Sequence, residues 1–173
     1  MAMAASRSLD GEIEIHGIPW HSIPGGEVMS DAPGKYIPDP DGRNADFYRH
    51  LARGTLHLQA CEGCARVLHP PRFLCPGCGS EALVFKPSAG QGRIFSWTLT
   101  HRPVDPGWAA EGLPYATVVV EMEEGIRLVG GWRGTPDVLC LDLRVQAEVE
   151  PATEAFAYLY FRPHVPAHVP PSV

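Results

Sequence analysis

The second half of the chain alternates hydrophobic and polar residues with a period of two, which is the spacing of a half-buried β-strand. Five such stretches lie between residues 89 and 163, separated by turns that contain glycine or proline. In the first stretch, the alternation predicts two opposite faces: Ile94, Ser96, Thr98 and Thr100 against Phe95, Trp97 and Leu99. The pair Gly130-Gly131 lies inside the third stretch, where it is tolerated if the strand coils or another strand approaches closely. We therefore predict a mainly β fold ending in a five-stranded OB-fold barrel, with a small sandwich or SH3-like barrel as alternatives.

A helical pattern is short and lies before the strands, at residues 44–54. Asn44 can cap its start, Asp46 lies in its first turn, and Gly54 can end it after Arg53. One side of this predicted helix is apolar: Phe47, Tyr48 and Leu51. Glycine and proline number 18 each in 173 residues, and this high share argues against a helical bundle.

The two ends of the chain carry no regular pattern. Five prolines between Pro19 and Pro40 exclude a long helix, so the first 43 residues are predicted to be an extended arm, and their apolar side chains favour docking. The last residues contain four prolines and are predicted to be extended or frayed. The predicted segments are the arm, 1–43; the short helix, 44–54; a ribbon, 55–88; the barrel, 89–163; and the proline-rich tail, 164–173.

The ribbon segment contains the most specific chemical signal. Two C-x-x-C pairs, separated by ten residues, supply four thiolates, the donor set of a tetrahedral zinc site. Iron in a rubredoxin-like arrangement is the alternative metal. Four sulfur ligands leave no open position for water, so we expect a structural rather than a catalytic metal. The predicted ligands are Cys61, Cys64, Cys75 and Cys78. The fifth cysteine, Cys140, lies in an apolar stretch and is predicted to be a core thiol.

Charge is unevenly distributed along the chain. The net charge is −6, yet residues 49–102 contain seven basic and only two acidic residues. A positive middle segment between two acidic flanks indicates a local anionic partner: a phosphate-bearing ligand, nucleic acid or an acidic protein surface. The candidate side chains for contacts with a phosphate-bearing ligand or with a protein partner are Arg66, Arg72, Arg93 and Arg102.

The location of the protein is constrained by what the sequence lacks. There is no apolar run near 18 residues and no recognisable signal peptide, so a membrane protein is not expected. Paired cysteines at metal-ligand spacing favour a cytoplasmic protein whose thiols bind metal instead of forming disulfides.

The order of these segments, together with several short strings, resembles the zinc-ribbon/OB-fold family found beside acyl-CoA enzymes (domain of unknown function 35). The resemblance covers residues 47–163, and Arg72 and Gly92 occupy recurring positions. The matching strings are HPPRFLCPGCGS, GQGRIFSWT, PYATVVVEMEEG and the final FRP. Two features depart from the family: the chain has Leu141-Asp142-Leu143 where a glycine-rich turn is usual, and its N-terminal arm is longer.

The resemblance implies a zinc-binding adaptor of acyl-CoA degradation or related lipid metabolism. The family associates with a thiolase-superfamily enzyme and, in some cases, with an enoyl-CoA hydratase or a hydroxymethylglutaryl-CoA synthase. The partner carries the catalytic groups, while the small subunit completes the complex and its acyl-CoA channel. The four cysteines named above then bind structural zinc, and the chain has no catalytic residues of its own.

Two other functions stay open at this point. Zinc ribbons and OB-folds both occur in nucleic-acid-binding proteins, and Phe95 and Trp97 could stack on bases. The negative charge of the chain from Pro103 onward argues against a nucleic-acid ligand, because it would repel phosphates. An enzyme acting alone on acyl-CoA is the third candidate, but no nucleophile, paired carboxylates or open metal site occurs at a persuasive spacing.

Overall fold

The computed structural model divides the chain into two units, Met1–Gly34 and Lys35–Val173. In the first unit, strand β1 (Glu14–Ile15) pairs antiparallel with β2 (Ile18–Pro19). The structure describes residues 14–15, 18–19, 34–103, 105–109 and 112–164. Most of the predicted arm and nearly all of the predicted tail therefore lie outside the described residues.

The predicted helix is present but begins two residues earlier than expected. Helix α1 spans Gly42–Ala52, and its N-cap residue is Asp41 instead of Asn44. Asp46 consequently falls outside the first turn. The C-cap is Arg53, and the following glycine has a φ of 78°, as a glycine at this position commonly does. Burial of the apolar side chains sets the position of the helix, because the Asp41 side chain makes no capping hydrogen bond.

The ribbon is a three-stranded antiparallel sheet. Strand β3 (His57–Cys61) lies at its centre, between β4 (Val67–Leu68) and β5 (Leu83–Pro87). Strand β4 has only two residues, and so its sequence shows no alternation. This sheet holds the two cysteine pairs at one end, since Cys61 is the last residue of β3.

The barrel confirms the predicted OB-fold and its five strands. These form a closed sheet in the order β10-β8-β7-β6-β9, in which β10 is parallel to β8 and antiparallel to β9. A short helix, α2, follows β6, and a 3₁₀ turn follows β8. The bounds of these elements are β6 Gln91–Thr100, α2 Pro106–Ala109, β7 Tyr115–Met122, β8 Arg127–Trp132, the 3₁₀ turn Pro136–Val138, β9 Arg144–Pro151 and β10 Ala157–Pro163.

A β-bulge in β6 overturns the predicted alternation of its faces. The pairing with β7 shifts by one residue at Phe95, which is left without a partner. Ile94 opposes Val120 and Trp97 opposes Val118, and both valines are fully buried in the barrel. Trp97 therefore lies on the same face as Ile94, whereas strict alternation placed them on opposite faces.

The glycine pair in β8 lies where two strands come unusually close, as its sequence position predicted. A Cβ atom on Gly130 would lie 2.7 Å from the carbonyl oxygen of Leu159, and one on Gly131 would lie 2.5 Å from the ring of Tyr160. Real Cβ atoms do not approach neighbours this closely, so the parallel contact between β8 and β10 requires glycine at both positions.

One hydrophobic core joins the helix, the ribbon and the barrel. Leu51 of α1 and Leu58 of β3 belong to the same buried cluster as Ile94, Val118 and Phe161 of the barrel. Full burial of one such side chain contributes about 1.5–3 kcal/mol. The ribbon and the barrel therefore stabilise each other.

Cys140 is exposed, so the predicted core thiol is wrong. It lies in the loop after the 3₁₀ turn, where Leu139 alone turns inward and Leu141 faces solvent. An apolar stretch in a loop thus buries one side chain rather than all of them. Among the described residues, no helix has the length and apolar character needed to cross a membrane.

Candidate metal centre and its surroundings

The four predicted ligands meet at one end of the ribbon. Their Sγ atoms all lie within 4.8 Å of one another, and Cys61 and Cys78, like Cys64 and Cys75, are 3.5 Å apart. A Zn–S bond of about 2.3 Å in a regular tetrahedron gives an S···S separation of about 3.8 Å. The observed spacing is therefore close to that of a zinc site made of four thiolates.

The two cysteine turns have the same backbone geometry. In the first, the N–H of Ala65 donates to the carbonyl of Cys61 at 2.8 Å, and in the second, Gly79 donates to Cys75 at the same distance. Ala65 and Gly79 are equivalent positions, and both have positive φ, 59° and 72°. Each turn thus directs two sulfurs toward one point, with the turn's own hydrogen bonds fixing the approach.

Two of the four thiols have strongly shifted pKa values, in opposite directions. A hydrogen bond from the Gly77 N–H lowers the pKa of Cys75 to about 6. The Ser80 N–H acts to lower the pKa of Cys78, but the Cys61 and Cys64 side chains raise it, to about 12. Only ionised thiolates bind a metal, so a divalent cation at this point would favour the deprotonated forms of Cys75 and Cys78.

The donor set is closed, which defines what the site can do chemically. Four sulfurs complete a tetrahedron and leave no position for water or substrate. Cys61 and Cys75 are buried, whereas Cys64 and Cys78 face solvent. Zinc held here would tie β3 to the loop between β4 and β5, which is a structural role.

A buried glutamine holds the loop that leads into the second cysteine pair. Gln59 of β3 is only 1% exposed, and its side-chain amide pairs with the backbone of Arg72 in both directions. Its Nε2 donates to the Arg72 carbonyl at 3.0 Å, and the Arg72 N–H donates to its Oε1 at 2.7 Å. No pattern in the sequence indicated this contact, because glutamine in a strand is ordinarily exposed.

The four candidate arginines are exposed and lie in different places. Arg66 packs against Gly77 in the second cysteine turn, and Arg72 lies on the clamped loop. Arg93 is near the start of β6, and Arg102 comes two residues after its end. At about 3.3 Å per residue along a strand, the last two are at least ~20 Å apart. The set therefore does not converge on a single phosphate group.

A small cavity of about 140 Å³ lies between the start of β6, the end of β7 and the start of β9. Arg93, Arg144 and His164 contribute to its lining, together with Glu121 and Glu123. Sites that enclose small molecules usually measure about 300–1,000 Å³. This cavity is too small to enclose coenzyme A.

Comparison with known proteins agrees with the ribbon and barrel in their observed order. The family "ChsH2, rubredoxin-like zinc ribbon domain" matches residues 49–84, and "ChsH2, C-terminal OB-fold domain" matches residues 85–151. A chain of the solved structure "Ltp2-ChsH2(DUF35) aldolase" is 32% identical, with a TM-score of 0.67. The match covers 100% of that chain and 75% of this one. The chain belongs to the ChsH2 family of DUF35 proteins. The resemblance noted in the sequence is thereby confirmed.

Curated relatives of this ChsH2-family chain include longer proteins. The "Probable enoyl-CoA hydratase alpha subunit" of Thermomonospora curvata is 32% identical over 71% of this chain but only 38% of its own length. The "DUF35 domain-containing scaffold protein" of Methanothermobacter thermautotrophicus is 35% identical over 47% of this chain and 61% of its own length. The chain thus spans less than two thirds of these relatives. With the rubredoxin-like ribbon and its four close cysteines, family membership supports structural zinc.

A second cluster in this ChsH2-family chain, which the sequence did not reveal, surrounds Lys35. Its Nζ lies 4.8 Å from the ring centroids of Trp108 and Tyr158 and 5.2 Å from that of Tyr160. The ammonium also donates to the Tyr160 hydroxyl at 2.6 Å and forms an ion pair with Glu150 at 3.1 Å. We call these residues the lysine cage. They come from three distant parts of the sequence, so no local pattern could have predicted them.

Proposed function

We propose that the chain is a non-catalytic subunit of a hetero-oligomeric acyl-CoA complex. Its partner is a thiolase-superfamily enzyme, an acyltransferase or a retro-aldolase, and an enoyl-CoA hydratase-like or hydroxymethylglutaryl-CoA synthase-like protein can join the assembly. The chain contributes part of the wall of the acyl-CoA channel, and its zinc ion is structural. A reducing cytoplasmic compartment suits the four thiolates.

The match to the structure "Ltp2-ChsH2(DUF35) aldolase" carries this proposal, because it covers the whole of one chain of a structure that is named for two proteins. Relatives named as hydratase alpha subunits support the same class of assembly. One of them is the "3-oxo-4,17-pregnadiene-20-carboxyl-CoA hydratase alpha subunit" of Mycobacterium tuberculosis, which is 32% identical over 64% of this chain and 34% of its own length. The term "alpha subunit" implies a further subunit in those proteins.

The chemistry of the described residues is consistent with a supporting role. The closed metal centre offers no position for substrate, and the 140 Å³ cavity cannot enclose coenzyme A. In this proposal the partner supplies the rest of the wall of a CoA-sized channel. Within it, the exposed arginines are candidates for contacts with phosphates or with the partner: Arg66, Arg72, Arg93 and Arg102.

Co-expression tests the proposal directly. The full-length chain is produced together with the thiolase-superfamily protein encoded near it, and the mixture is separated by size-exclusion chromatography. We expect one stoichiometric complex, and acyl-CoA cleavage or condensation activity that neither protein shows alone. Separate elution, with no gain in activity or solubility of either protein, contradicts the proposal.

The nucleic-acid alternative predicts a different result. Phe95, one of the two aromatic candidates for base stacking, is already covered by the guanidinium of Arg127, 3.4 Å from its ring centroid. We therefore expect no salt-dependent binding of the purified chain to single-stranded DNA at micromolar concentrations. Such binding would favour the nucleic-acid function.

A further inference from the structure

The loop at residues 69–74, between β4 and the second cysteine pair, presents apolar side chains to solvent. Phe73 is 68% exposed and Leu74 is 51% exposed. Scattered exposed apolar residues are normal on protein surfaces, but two adjacent ones, each more than half exposed, form an apolar patch suited to contact with another protein.

This loop is held in place from both sides. Behind it, the buried amide of Gln59 makes two hydrogen bonds to the backbone of Arg72. After it, the N–H of Cys75 donates to Ser80 within the metal-binding turn, at 2.9 Å. A buried amide is costly unless its hydrogen bonds are made, so this clamp favours one loop conformation strongly. Phe73 and Leu74 are thus displayed in a fixed position and lose little conformational freedom on binding.

Two arginines give the exposed loop its charge. The guanidinium of Arg43, from α1, lies 4.7 Å from the ring centroid of Phe73, and Arg72 is the neighbouring residue. Within the described part of the chain, neither guanidinium forms an ion pair with a carboxylate. We call Arg43, Arg72, Phe73 and Leu74 the ribbon tip.

We propose that the ribbon tip is the part of this chain that inserts into the partner subunit, at an apolar pocket bordered by carboxylates. The inference rests on the proposed function, since it names the contact through which the complex forms. The ribbon tip combines an aromatic ring and adjacent arginines on a pre-ordered loop, and this composition is typical of an interface hot spot. The positive charge of the tip selects an acidic rim on the partner and disfavours a basic one.

The test compares the ribbon tip with an equally exposed apolar pair elsewhere. The purified partner subunit is titrated with the full-length chain, and the Kd of the complex is measured by calorimetry or biolayer interferometry. We expect the double variant Phe73→Ser/Leu74→Ser to weaken binding at least about tenfold. The matched control is Val129→Ser/Leu141→Ser, on the barrel, whose residues are 61% and 64% exposed in the native chain. We expect the control to change Kd less than about threefold.

Charge is tested in the same way. Arg72→Glu should weaken binding at least about tenfold and lower the association rate, because it places a carboxylate against the acidic rim. The control Arg53→Glu makes the same change at an exposed arginine that belongs neither to the ribbon tip nor to the candidate contacts. Zinc content and thermal unfolding of each variant, measured alone, verify that the ribbon is folded.

The outcomes separate this inference from the function on which it rests. If the native chain forms the complex and the folded tip variants bind as well as the controls, the ribbon tip is not the contact, while the proposed function stands. If the native chain forms no complex, both fail. If the native chain instead forms a homodimer that Phe73→Ser/Leu74→Ser dissociates, the tip joins two copies and the inference is overturned.

Discussion

Cys75 and Cys140 have different surroundings, so their replacement should have different consequences. Cys75 is buried in the metal-binding turn and receives the Gly77 N–H at 3.4 Å, whereas Cys140 is an exposed thiol in a loop. The metal-binding role of Cys75 could be predicted from the sequence alone, because C-x-x-C is a local pattern. The exposure of Cys140 depends on which way a loop residue turns, and no local pattern reports that.

Removal of one ligand should abolish metal binding and destabilise the ribbon. For Cys75→Ser, we expect zinc content to fall from about one ion per chain to near zero, and the chain to unfold at a lower temperature, because binding of structural zinc contributes to folding free energy. Metal analysis and thermal unfolding measure both effects. Cys140→Ser is the control and should retain its zinc. A Cys75→Ser chain that is zinc-free yet as stable as the native chain contradicts a structural role for the metal.

His69 should make stability depend on pH. Burial lowers the pKa of this imidazole, and its ring packs against Phe47, with centroids 5.0 Å apart. The unfolded chain therefore binds a proton more readily than the folded one, so stability falls as the pH decreases below the unfolded value of about 6.5. The loss levels off once the pH is below the lowered folded value.

His69→Phe tests this dependence because it keeps an aromatic ring and removes the titrating group. We expect the variant to lose less stability than the native chain between pH 7.5 and pH 5.5, by at most about 1.4 kcal/mol, because only the one pH unit below the unfolded value of about 6.5 contributes in this window. Urea unfolding at several pH values, in excess zinc, gives the measurement. His101→Gln, at an exposed histidine, should leave the native slope unchanged; an equal slope in His69→Phe would show that another group is responsible.

Among the elements, those with a long regular pattern could be predicted and those set by tertiary contacts could not. The five barrel strands and the two cysteine turns follow from alternation and spacing. The bulge at Phe95 does not, because it depends on pairing with β7, and neither does β4, which is formed only by its hydrogen bonds to β3. The start of α1 shifted to Gly42 because burial of Phe47 and Leu51, rather than the cap, positions this helix.

The lysine cage attaches residues 35–41 to the barrel, and this attachment can be measured. Besides the Lys35 contacts, the N–H of Tyr36 donates to Asp105 at 2.8 Å, and the Tyr158 hydroxyl donates to the carbonyl of Tyr36 at 2.9 Å. Lys35→Met keeps the length of the side chain but removes the cation. A cation on desolvated aromatic rings contributes about 2 kcal/mol, so the variant should release this segment.

Limited proteolysis with chymotrypsin detects that release, because Tyr36 is an exposed cleavage site in the segment. We expect cleavage after Tyr36 to be about tenfold faster or more in Lys35→Met than in the native chain. Lys86→Met, which removes an exposed lysine of the ribbon, is the control and should be cleaved at the native rate. Equal cleavage rates in the native chain and Lys35→Met would mean that the cage does not hold the segment.

At the scale of the whole unit, the ribbon and the barrel share one core, which the division of the sequence into successive segments did not predict. The reason is that the contacts are long-range: Leu51 and Leu58 lie about forty residues before Ile94 and more than a hundred before Phe161. For the same reason, the arrangement of the four candidate arginines could not be predicted from the sequence. Their net positive charge was visible in the sequence, but their separation around the fold was not.

A shared core predicts that the ribbon and the barrel unfold together. Leu51→Ala removes a fully buried side chain from the helix between them and should cost about 2–5 kcal/mol. Two probes report on the two parts. Zinc release, detected with a chromogenic chelator, reports on the ribbon. Tryptophan fluorescence reports mainly on the barrel segment, which contains three of the four tryptophans: Trp97, Trp108 and Trp132. In the native chain and in the variant we expect the two urea transitions to coincide, and in Leu51→Ala both should shift by the same amount.

The control Leu141→Ala, at an exposed position, should shift neither transition. A variant in which zinc is released well before the fluorescence changes would show that the ribbon unfolds independently, and would limit the helix to a local role.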